Sequence, residues 1–392
     1  MIRVCTTAKA ECRYRPACRD SGESVRILYD HQLFSLQNAG GGSRYFYELM
    51  QFLAKVPDVQ MELLLGMNGS VHPLQDLASE RVTVISHASF LRPGTLRYLV
   101  NEAFSDAIAP FRGKMDVYHS TLYRRVPSVR ARRVVATHHD CVQERFPQLF
   151  PDVERIRRCK QRLYREADAI ICVSESSRKD LLSYYQVSAA KTRVIHHGTT
   201  QLPRCGNADQ KLQTHVRREY ILFVGSRSSY KNFDALLNAF HHTGLYESVD
   251  LMVLGGGPLT PEEKAIISQF GLNDFVIALP AVSDCVLGAA YAGARLFVYP
   301  SRYEGFGFPP LEAMAAGCPV LASNTSSIPE VCRDAPFYFD PEDQASFTSA
   351  LVHAVSDEEA RRQAVARGSE VAAQYTWKKC GEQTLALYRE CQ

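Results

Sequence analysis

Glu304 and Glu312 stand eight positions apart in the stretch VYPSRYEGFGFPPLEAMAAGCPVLAS, Val298 to Ser323. The apolar run Ala294 to Tyr299 that leads into them reads as a buried strand. Gly305 and Gly307 then give the backbone the freedom of a tight turn. Pro310 suits a first helical position, Leu311 to Ala316 are good helix formers, and Gly317 and Pro319 end the helix. Pro319 to Ala322 reads as the next strand. Both carboxylates thus fall near the carboxyl end of a buried strand, where open α/β sheets take their ligands. The helix N-terminus beside them suits a phosphate. A plainer reading also fits, since acidic residues in a first helical turn stabilise the dipole by ~0.3–1 kcal/mol. Spacing alone leaves the two readings level.

Other residues of chemical interest also sit after apolar runs. Gly225 to Asn232, GSRSSYKN, carries Arg227 and Lys231 in a strand-to-helix turn, fit to neutralise an anion or to be a solvated loop. Gly40-Gly41-Gly42-Ser43 leads into a helix, and its backbone N–H groups could approach a phosphate. His138-His139-Asp140 ends one strand and His119 another; a lone histidine there is more often structural. Ser283, after Ala281-Val282, is explained equally by helix capping. No Gly-x-Gly-x-x-Gly follows the first strand and no acid ends the second, which weighs against a dinucleotide dehydrogenase. No Asp-x-Asp occurs, so a divalent cation held by paired aspartates is not indicated.

Strands and helices alternate throughout, which predicts parallel sheets covered by helices on both faces. Strands are expected at Val25–Tyr29, Gln60–Gly66, Val82–Ile85, Asp116–His119, Val134–His138, Ala169–Val173 and Thr192–His196. A second series begins at Tyr220–Val224 and continues through Val249–Leu254, Phe275–Leu279, Ala294–Tyr299 and Pro319–Ala322. Ser43 is expected to cap a helix running to about Lys55. Thr260-Pro261-Glu262-Glu263 is a capping box with proline at the first helical position. Periodicity lapses around Gln201 to Gln213, which reads as an interdomain linker. The residues singled out above all lie at carboxyl ends of strands, so two facing domains would gather them in one cleft.

A chain of 392 residues favours two domains. At 46% hydrophobic and 22% charged residues it has the make-up of a globular protein, and no apolar run approaches the ~18–20 residues of a membrane span. Residues 1–24 lack an apolar core for a secretory signal and read as a flexible extension. The 12 cysteines include no Cys-x-x-Cys pair, so reduced cytosolic thiols are expected and a zinc site is not. Net charge is +3, yet residues 110–165 hold 14 Lys or Arg against five Asp or Glu. That local excess suggests an anionic partner. Nucleic acid is not favoured, because no recognition-helix or aromatic-strand pattern accompanies the charge. Within it, Asp152 to Ala167 is amphipathic: Val153, Ile156, Cys159, Leu163 and Ala167 form a stripe, with Arg155, Arg157, Arg158, Lys160, Arg162 and Arg165 mostly off it. The basic side reads as a solvated face, or as a contact for anionic lipid or a lipid-linked phosphate.

The string YPSRYEGFGFPPLEAMAAGCPV closely resembles the donor-site signature of family-four glycosyltransferases, retaining enzymes of the α/β GT-B fold. GGGSRYFYEL resembles that family's N-terminal glycine loop, VVATHHDCVQERFP its Thr-His-Asp segment, and WKKCGEQTLALY its last helix. The resemblance spans about residues 26 to 390. It implies two Rossmann-like parallel-sheet domains facing a central cleft, with a C-terminal helix crossing back to the first. The boundaries would be an acceptor-side domain at 25–200, a linker at 201–217, a nucleotide-sugar domain at 218–375 and the returning helix at 376–392. It places Glu304 and His139 at the donor sugar, Glu312 on the ribose hydroxyls, and Lys231 with Arg227 on the diphosphate. Gly41, Gly42, Gly305, Phe306, Gly307 and Ser283 would complete the donor site. The expected activity is retaining transfer of a sugar from a nucleotide-sugar to a saccharide or polyprenyl-linked acceptor, with no cofactor and no metal. The SRYF and YKNF strings resemble bacterial mannosyltransferases of surface polysaccharide synthesis, which implies GDP-mannose as donor, a UDP-sugar being the alternative. The expected location is cytoplasmic, with peripheral contact at the inner face of the membrane as the sharper reading. Two other functions fit the same fold. A nucleotide-sugar epimerase would consume donor without an acceptor. A non-catalytic sugar-nucleotide-binding subunit would turn over nothing, and the presence of Glu304, Glu312, Lys231 and His139 argues against it.

Overall fold

Near-continuous apolar runs build both sheets, as parallel strands buried on both faces require. β6 (Ala169–Cys172, AIIC) and β8 (Tyr220–Val224, YILFV) are examples. The computed structural model describes residues 24–87, 94–123, 129–203, 205, 212 and 214–390. The expected N-terminal extension, up to residue 23, and much of the expected linker lie outside the described residues.

The first sheet is parallel throughout, in the order β3-β2-β1-β4-β5-β6-β7. Its remaining strands are β1 (Val25–Tyr29), β2 (Val59–Met67), β3 (Val82–His87), β4 (Met115–Ser120), β5 (Ala131–His138) and β7 (Thr192–Val194). The second sheet is also parallel, in the order β10-β9-β8-β11-β12-β13. It adds β9 (Asp250–Leu254), β10 (Val276–Leu279), β11 (Leu296–Tyr299), β12 (Val320–Ser323) and β13 (Phe337–Phe339). Chain direction across each sheet reverses at one place, between β1 and β4 in the first and between β8 and β11 in the second. Such switch points open a crevice at the carboxyl ends of the strands.

The last helix, Trp377–Glu390, packs into the core of the first sheet. Cys380, Leu385, Leu387 and Tyr388 are buried there beside Phe46, Leu49 and Leu53. Fully burying large apolar side chains is worth roughly 1.5–3 kcal/mol each, which holds the helix across the gap between domains. Gly381 permits the approach, because a Cβ there would fall on the Phe52 ring.

Four local features differ from the sequence expectations. β13 spans only three residues, too few for a periodicity to register. The helix expected to start at Ser43 runs from Gly41 to Leu53; Gly40 takes the cap position and the Ser43 hydroxyl donates back to the Gly40 carbonyl at 3.0 Å. The helix after Glu304 runs Phe308–Ala315, so Pro309 and Pro310 both lie in its first turn, where a missing N–H leaves no gap. Cys205 and Cys285 are joined in a disulfide rather than reduced, their Cα atoms 5.6 Å apart after a separation of 80 residues. Among the described residues no helix is long and apolar enough to cross a membrane.

Candidate active site between the two sheets

The switch point of the second sheet brings two distant residues together. β8 pairs with β11, so the turn after β8 and the turn after β11 are neighbours. Lys231 sits in the first and Glu304 in the second, with Lys231 Nζ donating to Glu304 Oε1 at 2.5 Å. Asn232 adopts a left-handed backbone (φ 59°) that lets the chain turn from Lys231 into the helix Phe233–His242. Ser326 Oγ accepts from the Glu304 N–H at 2.9 Å, and the Ser327 hydroxyl donates to the Glu304 and Phe306 carbonyls at 2.9 and 3.0 Å. The Glu304 turn is therefore held through its backbone, leaving the side chain to pair with Lys231. Burial pulls the Lys231 ammonium down, but Glu304 beside it outweighs this and the net shift is upward. Lys231 stays charged at neutral pH.

Glu312 lies one helical stretch further on and is answered from the other domain. Arg44, in the helix after the glycine loop, donates Nη1 to Glu312 Oε1 at 2.6 Å and Nη2 to Asp284 Oδ2 at 2.7 Å. Burial raises the Glu312 carboxyl above its ordinary value, and Arg44 opposes the shift. Gly41 lies against this contact, since a Cβ there would press on the Phe308 ring. Gly42 is less crowded, with Leu33 and Gln37 about it.

The His139 backbone meets the Glu304 turn. A Cβ on Gly305 would collide with the His139 carbonyl oxygen, so glycine allows the two loops to touch. Ser174 Oγ donates to the Gly305 carbonyl at 2.7 Å, pinning that contact from the first domain. His139 and His197 rings lie 6.0 Å apart among Tyr45, Phe306 and Phe308, and His197 stacks on Phe308 at 4.8 Å. Burial lowers His139 to about 4, with Asp140 pushing back and Lys160 adding to the fall. The imidazole is thus neutral near pH 7. Among the described residues its buried Nε2 has no hydrogen-bond partner, nor has His197 Nδ1. A neutral imidazole can donate or accept there according to tautomer.

Lys160 departs from the solvated face expected for Asp152 to Ala167. On the helix Val153–Glu166 its side chain is fully buried, paired with the equally buried Glu144 at 3.1 Å. It also donates to the Asp140 carbonyl and to Gln143 Oε1, at 3.1 and 3.0 Å. Lys160 thereby fixes the loop that carries His139. The arginines 155, 157, 158, 162 and 165 remain exposed on that helix.

Tyr303 is the second domain's wedge in the first. It is 1% exposed and packs with Cys141, Val142, Leu163 and Tyr164. Its hydroxyl accepts from the Cys141 N–H at 2.9 Å and donates to Asp180 Oδ2 at 2.8 Å. Cys141 follows Asp140 and Tyr303 precedes Glu304, so one phenol registers the two loops. Glu330 makes a second bridge, accepting N–H bonds from Glu175 and Ser176 at a helix N-terminus and from His196 Nε2, at 2.7, 2.9 and 2.8 Å.

Not every expected residue joins this group. Arg227 is committed elsewhere: Nε donates to Glu263 at 2.8 Å and the guanidinium to the carbonyls of Gly255, Gly257 and Pro258 at 2.8, 3.0 and 2.8 Å. Its side chain is 4% exposed, so it braces the glycine turn after β9 rather than pairing with Lys231 in an open cleft. His119 is a core residue, held between Tyr388 and Thr137 at 2.5 and 2.8 Å and lowered by burial to about 3. Ser283 caps the helix Asp284–Gly293, accepting from Val286 N–H. Phe306 and Gly307 lie in the Glu304 turn, where Gly307 takes φ +109° and caps the helix Phe308–Ala315.

The sequence does not single out Arg44, Asp284, Tyr303 or His197, and it places Lys160 only on the basic face. Arg44 and Tyr303 lay inside quoted strings, but their partners come from the opposite domain. Lys160 occupies a helical position at the edge of the apolar stripe, where charge alone suggested solvent.

Residues 39–200 match the family described as Glycosyltransferase Family 4, and residues 207–371 match Glycosyl transferases group 1. The chain is 31% identical over 272 residues to O-antigen chain mannosyltransferase B of Escherichia coli, covering 66% of this chain and 71% of that one. It is 28% identical over 306 residues to MMP alpha-(1->4)-mannosyltransferase of Mycolicibacterium hassiacum, covering 72% of each. Among solved structures, sucrose-phosphate synthase from Thermosynechococcus elongatus superposes with TM-score 0.73 at 20% identity, over 93% of this chain and 98% of the other. Anabaena Alr3699/HepE in complex with UDP-glucose gives 0.69 at 18% identity, over 93% and 99%.

Proposed function

The chain belongs to glycosyltransferase family 4 and is a glycosyltransferase of the GT-B fold, and from that premise we propose that it transfers mannose from GDP-mannose, with retention, to a saccharide of a surface polysaccharide. The choice of mannose draws on relatives named as mannosyltransferases, two of them O-antigen chain enzymes. The epimerase alternative finds no support among the relatives. The observation that carries the mechanism is Lys231 on Glu304 at the switch point, in a turn whose Gly305 meets the His139 carbonyl of the first domain.

In this reading the nucleotide lies on the second sheet, with its ribose at Glu312 and its diphosphate at Lys231. The bond from the anomeric carbon to the diphosphate oxygen breaks as charge builds on the leaving group. Lys231 stabilises that charge; a single well-placed donor of this kind is worth ~3–4 kcal/mol. The acceptor hydroxyl attacks from the same face, its oxygen bonds the anomeric carbon, and its proton passes to the departing diphosphate. Glu304 and the unpartnered Nε2 of His139 orient the sugar. Arg227 acts at a remove, by shaping the loop Gly255–Pro258. Tyr303 and the Gly305–His139 contact keep the domains together and water out. We further propose a cytoplasmic enzyme whose exposed arginines on the helix Val153–Glu166 meet an anionic membrane and a polyprenyl-linked acceptor.

The test is a transfer assay pairing GDP-mannose, UDP-glucose and UDP-galactose with saccharide acceptors, read by NMR of the product's anomeric proton. An α-linked product from GDP-mannose is expected. A β-linked product overturns retention, and transfer from a UDP-sugar alone overturns the donor.

A further inference from the structure

A groove of about 400 Å³ runs between the domains beside the Glu304 turn. Arg145 and Phe146 line it from the first domain, and Arg302, Asn324, Asp340 and Glu342 from the second. Its size falls within the ~300–1,000 Å³ of small-ligand sites. Its walls continue into the centre described above. Arg302 lies two residues before Glu304, and its N–H donates to the Tyr230 carbonyl at 2.8 Å. Asn324 stands two residues before Ser326, which holds the Glu304 backbone. Phe146 stacks on Tyr230, the neighbour of Lys231, at 5.7 Å.

The lining is polar and balanced, with two arginines, Asp340 and Glu342. An ionic ligand would meet as much repulsion as attraction there. A neutral polyhydroxylated ligand meets neither, since each hydroxyl can donate to a carboxylate and accept from a guanidinium or amide. The existing ion pairs leave room for exchange. Arg145 reaches Asp180 at 3.4 Å and Arg302 reaches Glu342 at 3.2 Å, with both arginine side chains well exposed. The Arg302–Glu342 pair, exposed on both sides, is worth ~0–1 kcal/mol, little enough for a ligand to replace.

We propose that this groove is a saccharide subsite, which holds acceptor units next to the one that reacts. The proposal rests on the transfer reading given above and adds a preference to it: the acceptor is an oligosaccharide, gripped by both domains at once. Because both domains line the groove, a bound chain also favours the closed arrangement.

Calorimetric titration tests the subsite without turnover. The probes are methyl α-mannoside, α-mannotriose and maltotriose, titrated into wild type, Arg145→Ala and Asn324→Ala, with GDP titrated alongside. Both positions are exposed, and unchanged GDP affinity certifies the fold of each variant. A trisaccharide is expected to bind wild type at least about tenfold more tightly than methyl α-mannoside, with that advantage lost in both variants. Equal affinity for mono- and trisaccharides, or a trisaccharide advantage that survives both substitutions, overturns the subsite. Maltotriose binding in place of mannotriose supports the subsite and counts against mannose. Failure of the transfer assay with every nucleotide-sugar counts against the enzymatic reading and leaves this binding result to be judged by itself.

Discussion

Arg44 and Glu312 meet across the cleft at 2.6 Å, although 268 residues separate them in sequence. The pair ties the helix of the glycine loop to the helix after the Glu304 turn, and it occupies the carboxylate assigned to the ribose. Arg44→Ala and Glu312→Ala should each cost about 1–3 kcal/mol, and the double variant less than their sum. Denaturant unfolding of the four proteins measures the coupling; additive losses would show that the pair contributes nothing. Glu312→Ala should also weaken GDP binding by about tenfold or more. Unchanged GDP affinity in the folded variant would remove Glu312 from the donor site.

Lys231→Ala should lower turnover by about 10²–10³, the usual effect of deleting one donor at a developing charge. Wild-type activity should persist in a chelator. Loss of activity in chelator, restored by a divalent ion, would move the charge-stabilising role from Lys231 to a metal.

Tyr303→Phe keeps the ring between the domains and removes both hydrogen bonds of its hydroxyl. Stability should fall by about 1–3 kcal/mol, and donor hydrolysis should rise relative to transfer as the loops lose register. Tyr303→Ala should cost about 3–5 kcal/mol. A Tyr303→Phe enzyme with the wild-type ratio of hydrolysis to transfer would make the residue a packing element only.

Buried histidines give a pH signature. His119 falls to about 3 and His139 to about 4, from 6.5 when unfolded, burial being the main cause in both. Between these values the unfolded chain binds more protons than the folded one, so stability is fully present above 6.5 and lost as pH falls towards 4 and 3. Melting curves from pH 7 to pH 4 should show a falling midpoint, and His119→Asn should flatten the fall. That comparison isolates the histidine from Asp30 and Glu312, whose raised carboxyls act in the opposite direction. Parallel curves for variant and wild type would contradict a neutral buried His119.

The exposed arginines of the helix Val153–Glu166 predict liposome binding that weakens with salt, since surface charges are screened within ~8–10 Å. Replacing Arg157, Arg158 and Arg162 with Ser should reduce it. Lys160 is unsuitable for that experiment, because its loss would strand Glu144 in the core. Equal partitioning onto neutral and anionic vesicles would leave the arginines as a solvated face.

Periodicity and punctuation determined most of the fold. Short, mostly apolar runs of four to seven residues marked every described strand except β13, and Thr260 to Glu263 announced its capping box. The chain also carried Glu304, Glu312, Lys231 and His139 in strings specific enough to suggest their partnership. These signals are local: a strand, a turn or a cap depends on residues a few positions apart. What the tertiary structure decided is who faces whom. Lys231 meets Glu304 only because β8 lies beside β11, and Arg44 meets Glu312 only because two domains close on each other. The same closure buries Tyr303, and packing within the first domain buries Lys160 against Glu144; the sequence would leave both polar groups in water. Arg227 shows the converse, a cation in a plausible turn whose hydrogen bonds are used up by Glu263 and the carbonyls after β9. A side chain's type limits the bonds it can make, but only the packing of distant segments determines which of them it makes.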